Sequence, residues 1–490
     1  MALVFDGVRA VALAGVVMVL PLAACGPGGG AVGQAPATTA AGQLQPAQVD
    51  LMLRTLAEAP THGFRPGAFA PAGLDAQLKS SDPAERRSGE ARLRAGVVAY
   101  ARAQHGLGLP KSAMDKNWGM RPPAYDAQAE FDQALAQNRL EAWLTGLPPQ
   151  GPAYQALRQG YMAYLKLASG GGWAAVPDGP PLKAGSRGPR VRALRERLAF
   201  EDPAVAQAQR DLPFDAGLTA AVTRYQTSHG LKPTGAVGPE TLASLNMPVQ
   251  IRAAQIRANL ERWRWVPRDL QPTRIEVNSV AGSFDLYVDG AAAMHMLAAA
   301  GKPGDETPIL TSMIQTVVLN PPWNVPDSIA DEELFPKSKS DPRYFAREGF
   351  EVQPPGKGVK LVQKPGPKNA LGQVKFLFDN DYGVYLHDTP ARAAFSRANR
   401  SVSHGCVRLE RAVDLAKQVL SAEPGWSPEK VDQTLAGAET TEVKLSKPLQ
   451  VNLFYWTAFD QNGQVQFRDD VYGWDAALVR LLDTVGSGSA

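Results

Sequence analysis

Residues 401–409 read SVSHGCVRL, and the expected fold and chemistry follow from this stretch and the strand before it. A thiol is a good nucleophile only as a thiolate, and a neighbouring imidazole lowers the cysteine pKa from its usual value of about 8.5. Cys406 has His404 two residues before it and His387 on a predicted strand further upstream. A cysteine and a histidine that meet in this way predict nucleophilic catalysis of acyl transfer.

Neighbouring residues complete the predicted pocket. Gly405 lets the backbone approach a substrate closely, and the N–H groups of Gly405 and Cys406 are expected to form an oxyanion hole. Strand alternation places Tyr385 on the same side as His387, so Tyr385 is predicted to line the pocket. The side chain of Asp388 is expected to point away, while its carbonyl holds the His387 ring in one tautomer.

Composition excludes several classes of function. The chain has 490 residues, and at roughly 150 residues per domain this predicts about three domains. The formal net charge of +3 is too small to favour nucleic acid as a partner. The two cysteines are Cys25 and Cys406. One cysteine without a histidine-rich neighbourhood does not predict a zinc site.

The N-terminus predicts export. Residues 8–22 are apolar apart from Arg9 and run into the small residues that precede Cys25. Such a short apolar stretch is typical of a secretion signal rather than a membrane span. Its end resembles a bacterial lipobox, which implies a lipidated Cys25, and Gly26 implies an outer-membrane lipoprotein in the periplasm. The alternative is an ordinary signal peptide that is cleaved nearby.

The remaining pattern predicts a multidomain α+β protein. The predicted segments are a signal peptide at 1–25, a flexible linker at 26–48, a helical scaffold domain at 49–180, a three-helix bundle at 181–248, a connecting helix at 249–272, a β-rich, sandwich- or barrel-like domain at 273–425 and a C-terminal segment at 426–490 that completes the core. A Pro- and Gly-rich insertion at about 321–372 interrupts the β-rich domain. Long insertions in compact domains are usually functional, so this one is predicted to be a lid.

Two finer predictions concern packing. Tyr154, Leu157, Tyr161, Tyr164 and Leu165 share one predicted helix face. The predicted strands of the β-rich region are 274–280, 283–288, 314–319, 374–378 and 383–387, with 449–459 and 465–467 closing the sheet.

The bundle resembles a known family. It is similar to the common peptidoglycan-binding domain in two respects. Two of its helices start with Gly-Pro, at 188–189 and 238–239, and the further similar residues are 214–215, 221–226 and 229–231. The resemblance implies affinity for the cell wall. A bundle that only spaces its neighbours is the alternative.

The motif around Cys406 resembles the L,D-transpeptidase catalytic domain, often called the YkuD domain, in which a histidine precedes Ser/Thr-His-Gly-Cys. Further stretches similar to the large Gram-negative periplasmic members are 307–308, 320–330, 366–378, 385–390 and 467–470.

This resemblance implies the following roles. Cys406 is the nucleophile and His387 its general base, while His404 orients the site or supports the oxyanion region with Ser403 beside it. Arg408 binds a substrate carboxylate, and Trp323 packs the loop or touches substrate. The family forms 3–3 peptidoglycan cross-links through a thioester on the cysteine and releases D-alanine from a donor tetrapeptide stem. It needs no cofactor, and carbapenem β-lactams are expected inhibitors.

Three alternatives stay open at this stage. Water as the acceptor would make the protein an L,D-carboxypeptidase, and a protein lysine would make it a wall-to-protein ligase. A non-catalytic peptidoglycan-binding lipoprotein is the third.

Overall fold

The computed structural model describes residues 43–207, 211–354, 356, 358 and 360–486. The predicted signal peptide, the lipidated Cys25 and most of the predicted linker lie outside the described residues. Residues 45–490 belong to one compact unit. The contacts within this unit do not separate the predicted domains from one another, so the predicted domain limits stay predictions.

The N-terminal region is helical. Its helices are α1 (Pro46–Ala57), α2 (Leu74–Lys79), α3 (Pro83–Gln104), α4 (Ala127–Ala136), α5 (Leu140–Gly146) and α6 (Pro152–Ser169). Helix α3 begins where the Asp82 carboxylate accepts the N–H of Ala84 at 2.8 Å, with proline at the first position.

The predicted face of α6 is confirmed with one exception. Tyr154, Leu157, Tyr161 and Tyr164 are buried. Leu165 is exposed, so its assignment to this face is wrong.

A small bundle follows, with helices α7 (Pro189–Leu198), α8 (Pro203–Ala206), α9 (Ala216–Ser228) and α10 (Pro239–Leu245). Its three longer helices match the predicted bundle, and α8 is a single additional turn. Proline starts both predicted helices, and the core includes Leu194, Leu218 and Leu245.

Helix α11 (Val249–Trp265) lies in the middle of the molecule and is buried on most sides. It packs against α6 and against the last helix, α17 (Trp474–Leu482). Two of its buried arginines form ion pairs: Arg262 contacts Asp475 at 2.6 Å, and Arg264 contacts Glu261 at 2.5 Å.

The β-rich region forms a barrel. Its strands are β1 (Arg274–Asn278), β2 (Ser283–Val288), β3 (Ala291–Gly301), β4 (Leu310–Leu319), β8 (Val374–Phe378), β9 (Leu386–His387), β10 (Ser401–Ser403), β11 (Val407–Leu409) and β12 (Thr441–Phe454). The sheet runs β10-β3-β11-β9-β8-β4-β12-β1-β2, and β2 also pairs with β3, which closes the ring. The predicted fold class, multidomain α+β with a barrel-like domain, is confirmed.

The barrel interior is apolar. Phe284, Val317, Phe376 and Val407 are all buried in one cluster, which extends to helices α15 (Ala412–Leu420) and α16 (Pro428–Leu435). Because successive residues of a strand face opposite sides, the residues next to these four in each strand point out of the barrel.

The insertion is a small subdomain of its own. It contains β5 (Trp323–Asn324), α12 (Asp327–Ile329), a π-helical turn (Ala330–Leu334), α13 (Phe335–Ser340), α14 (Tyr344–Glu348), β6 (Phe350–Val352) and β7 (Leu361–Gln363). Val325, Leu334, Phe350 and Leu361 form its core. We call this subdomain the lid.

Two predicted strands differ from the structure. The stretch 383–387 is extended only at Leu386–His387, because the Asn380 side chain binds the backbone of Val384 and holds a turn there. The predicted strands 449–459 and 465–467 do not both close the sheet. The end of the first and the whole of the second belong to a separate hairpin of β13 (Ala458–Gln461) and β14 (Gln464–Phe467). That hairpin packs on α6, because Ala458 and Phe467 join the cluster around Tyr154.

In the described part of the chain, no helix combines the length and the apolar character that a membrane span requires.

Candidate active site

The site lies on the outer face of three neighbouring barrel strands. Phe376, Leu386 and Val407 point into the core. The residues that alternate with them are paired across the strands: Lys375 stands opposite His387, and His387 stands opposite Arg408. These three side chains therefore share one face, and Cys406, two residues before Arg408, lies at its edge.

The loop that carries Cys406 is held by its own backbone. Gly405 has a φ of +100°, a conformation that favours glycine. Its carbonyl accepts a hydrogen bond from Thr307 Oγ1 at 2.7 Å, and Ser403 Oγ donates to the Cys406 carbonyl at 2.5 Å. Ser403 thus supports the loop, and Cys406, a partly exposed residue, lies directly before β11.

Tyr385 is the residue in contact with the sulfur. Its hydroxyl and its backbone N–H both face the Cys406 thiol. Burial raises the pKa of Cys406, although these hydrogen bonds and the charges of Lys375 and Arg408 oppose the change. The prediction that a neighbouring imidazole lowers this pKa is therefore wrong for the unliganded site.

His387 is buried and held in one orientation. Its Nδ1 donates to the Asp388 carbonyl at 2.5 Å, which is the predicted contact and leaves Nε2 with a free lone pair. Burial first, and then the Arg408 charge, lowers the pKa of His387 to about 3. The imidazole is therefore neutral near pH 7. Its ring centre lies 5.6 Å from that of Tyr385.

The Asp388 carboxylate points away from the imidazole, as the strand alternation predicts. It accepts hydrogen bonds from Arg392 at 2.7 Å and from the Gln373 N–H at 2.9 Å. Asp388 therefore fixes the backbone that positions His387.

His404 points to the lid rather than to the sulfur. Its Nε2 lies 2.7 Å from Glu333 Oε1, in the π-helical turn, and 3.2 Å from Lys302 Nζ. The expectation that His404 supports the oxyanion region does not fit this geometry. The structure instead gives it a contact that joins the nucleophile loop to the lid.

Arg408 and Trp323 border the same face. Burial lowers the pKa of Arg408, and its Nε has no hydrogen-bond partner among the described residues. The Trp323 indole hydrogen-bonds Tyr385 and stacks at a tilt on Phe350, with 6.2 Å between ring centres. Trp323 thus brings the first strand of the lid against the pocket.

Family models match three segments of the chain. They describe residues 272–442 as "L,D-transpeptidase catalytic domain", residues 33–160 as "Scaffold domain" and residues 187–245 as "Putative peptidoglycan binding domain". Residues 272–442 are an L,D-transpeptidase catalytic domain. All four residues of the pocket just described, Tyr385, His387, Cys406 and Arg408, lie within it.

Individual relatives agree with this assignment. A Haemophilus influenzae protein named "Putative L,D-transpeptidase" is 33% identical over 240 residues, which is 46% of this chain and 48% of that protein. The chain thus spans about half the length of this curated relative.

Solved structures of L,D-transpeptidases are more distant. One from Mycobacterium smegmatis is 21% identical and covers 37% of this chain and 58% of its own, with a TM-score of 0.20. The catalytic domain of an E. faecium L,D-transpeptidase acylated by ertapenem is 14% identical and covers 38% of this chain and 98% of its own, with a TM-score of 0.19.

Sequence reasoning missed one residue of the transpeptidase domain, Lys375. Its Nζ lies 3.9 Å from the centre of the Tyr385 ring, and burial lowers the pKa of Lys375. The available signal was the strand VKFLF at 374–378, in which a single lysine interrupts apolar residues next to the strand of His387.

Across the residues that the structure describes, no group of His, Cys, Asp and Glu side chains is arranged to hold a metal ion.

Proposed function

We propose that the protein is a cysteine L,D-transpeptidase that forms 3–3 cross-links in peptidoglycan. The observation that carries this proposal is the Cys406 thiol, which faces Tyr385 on the same strand face as an imidazole whose Nδ1 is bound by a backbone carbonyl. The family match to residues 272–442 supports the same reaction class.

In the first half-reaction Cys406 attacks the carbonyl carbon of the third residue of a donor tetrapeptide. The thiol proton passes to His387 Nε2 as the sulfur–carbon bond forms. The carbon–nitrogen bond to D-alanine then breaks, and the imidazolium returns the proton to the leaving amine.

The second half-reaction reverses the roles. A side-chain amine of a neighbouring stem attacks the thioester carbonyl, its proton passes through His387, and the sulfur–carbon bond breaks. The new amide is the cross-link, and the thiol is regenerated. No cofactor enters either half-reaction.

The oxyanion of both intermediates lies beside the nucleophile loop. Among the described residues, the backbone N–H groups of Gly405 and Cys406 donate to no backbone carbonyl. Donors that are already oriented and not otherwise used stabilise a developing negative charge strongly. Gly405 and Cys406 are therefore the proposed oxyanion donors.

Arg408 is the proposed anchor for a stem-peptide carboxylate. Its guanidinium is largely removed from water and its Nε lacks a partner among the described residues. A buried donor without a partner is costly, and a bound carboxylate would remove that cost with a charge-assisted bond.

The lid favours amine over water as the acceptor in this proposal. Trp323 covers Tyr385, and the Glu333–His404 contact holds the lid next to the thioester position. Exclusion of water slows hydrolysis, so cross-linking is favoured over trimming.

The proposed location is the periplasmic face of the outer membrane. Support comes from the lipobox-like residues that end at Cys25 and from Gly26. Cys25→Ser should release the protein from the membrane fraction, and continued attachment of this variant would contradict lipidation.

The proposed reaction is tested on purified tetrapeptide muropeptides. Cys406→Ala should abolish D-alanine release and preserve binding to sacculi, whereas a variant of exposed Ser446, Ser446→Ala, should retain both activities. Undiminished turnover by Cys406→Ala would refute the thioester mechanism. Mass spectrometry of the products identifies the acceptor: dimers indicate cross-linking, tripeptides indicate a carboxypeptidase, and a protein adduct indicates a ligase.

A further inference from the structure

A thiolate needs a positive neighbour, and His387 does not supply one at rest. Burial lowers the pKa of His387 to about 3, so its imidazole carries no charge near neutral pH. The basic side chains on this strand face are Lys375 and Arg408, which flank His387 on the two neighbouring strands.

Lys375 is joined to the sulfur through Tyr385. The ammonium lies 3.9 Å from the centre of the Tyr385 ring, within the range of a cation–π interaction. The hydroxyl and the N–H of the same tyrosine face Cys406. One residue therefore separates the lysine charge from the nucleophile.

The other charged groups around this site are few. Arg408 faces the sulfur from β11. Glu442, on β12, faces Lys375 across β4, since Glu442 pairs with Val318 and Val318 pairs with Lys375. Glu442 is exposed, so water screens its charge, whereas Lys375 is partly buried against an aromatic ring.

We propose that Lys375 is a positioning residue for the nucleophile: its ammonium holds the Tyr385 ring against Cys406 and supplies positive charge beside the sulfur as the sulfur loses its proton. The proton goes to His387 in catalysis and to solvent in simple ionisation, and Lys375 itself forms no bond. This inference rests on the proposed role of Cys406 as the nucleophile.

The test is the pH dependence of Cys406 alkylation by iodoacetamide in the full-length protein. Mass spectrometry of the peptide that contains Cys406 gives the alkylation rate without interference from Cys25. The scan covers about pH 7 to pH 11, because an ordinary thiol has a pKa of about 8.5 and burial raises the pKa of Cys406. Because only the thiolate reacts, the midpoint reports the ionisation of Cys406 in place. Lys375→Met should raise this midpoint by about one pH unit, which slows alkylation about tenfold below the midpoint.

Two comparisons separate charge from packing. Lys375→Arg keeps a cation over the ring and should restore the wild-type midpoint. Lys444→Met, which removes an exposed lysine from β12, should leave the midpoint unchanged. If Lys375→Met does not fold, Lys375→Gln gives the same neutral comparison, and melting temperatures identify which variants are folded.

Two results would overturn the inference. One is a wild-type midpoint in a folded neutral variant of Lys375. The other is a Lys375→Arg variant as perturbed as the neutral ones, which would mean that shape rather than charge is required. Neither result tests the transpeptidase reaction itself. That reaction is tested separately, by D-alanine release from the wild-type protein.

Discussion

Single residues of this site depend on backbone conformations that favour glycine. Gly372 has a φ of +60°. A Cβ at this position would lie 2.2 Å from Asp388 Oδ2. Asp388 in turn holds the His387 ring through its carbonyl. A displaced Asp388 would therefore turn the imidazole without any change in the residues that touch substrate.

Gly372→Ala should thus reduce D-alanine release by at least tenfold and lower the melting temperature. The left-handed backbone alone costs an alanine about 1–2 kcal/mol, and the collision with Asp388 adds to this cost. The matched control is Gly290→Ala, because Gly290 has a φ of +83° and open space around its Cβ direction. The control should lose stability but keep turnover, and equal turnover in the two variants would contradict this account of Asp388.

The lid is the element whose attachment the structure explains most directly. Its own core is apolar, and Glu333 in the π-helical turn contacts His404 at 2.7 Å. This contact is partly exposed, so we expect it to contribute only about 0.5–1 kcal/mol to lid closure.

Glu333→Ala should accordingly speed amide hydrogen exchange in residues 323–363 by about two- to fivefold, which corresponds to that free energy. It should also increase the tripeptide product relative to dimers, because a lid that opens more often admits water. Glu332→Ala removes the neighbouring exposed carboxylate and should change neither quantity. Equal exchange rates in the two variants would show that the Glu333–His404 contact does not hold the lid.

Local sequence patterns predict the strands and helices whose burial follows directly from their own alternation or helix-start residues. The apolar alternation in β2 and β8 and the Gly-Pro helix starts of the bundle have the structures that their sequences indicate. The hairpin of β13 and β14 was assigned to the barrel because alternation does not say which layer a strand joins. Contacts between Phe467 and α6, distant in sequence, decide that question.

The same limit applies to the site. Strand alternation predicted that Tyr385 lies beside His387 and that the Asp388 carbonyl orients the ring, since both are local contacts. The contact of His404 with Glu333 was not predictable, because it depends on how the lid folds back over the loop. The pKa of Cys406 was predicted in the wrong direction, because burial depends on the packing of the whole pocket.

At the scale of the whole molecule, buried neutral histidines lie in three different parts of the unit. His62 contacts Tyr154 in the helical region, His229 lies in the bundle, and His387 lies in the barrel. Burial lowers the pKa of His62 to about 2 and the pKa of His229 and His387 to about 3. In mild acid the folded protein therefore binds fewer protons at these three histidines than the unfolded chain does.

These shifts predict that the protein loses stability as the pH falls below about 6.5, the ordinary histidine pKa. A folded-state pKa below the unfolded value gives stability that is complete above the unfolded pKa and is lost towards the folded one. At pH 5 each such histidine lowers the free energy of unfolding by about 2 kcal/mol relative to pH 8. Asp475 acts in the opposite direction, because burial raises its pKa to about 6, and it offsets about 1 kcal/mol.

Urea unfolding at pH 8 and pH 5 measures the difference, to which these four groups should contribute a decrease of about 5 kcal/mol, comparable to the whole stability of many domains. His62→Gln cannot bind the extra proton and should reduce that decrease by about 2 kcal/mol. Ser446→Ala, which removes no titratable group, should not change it. If His62→Gln and the wild-type protein lost the same stability between the two pH values, burial of the His62 imidazole would not be a source of acid sensitivity. The loss of stability in acid would then arise from groups other than His62.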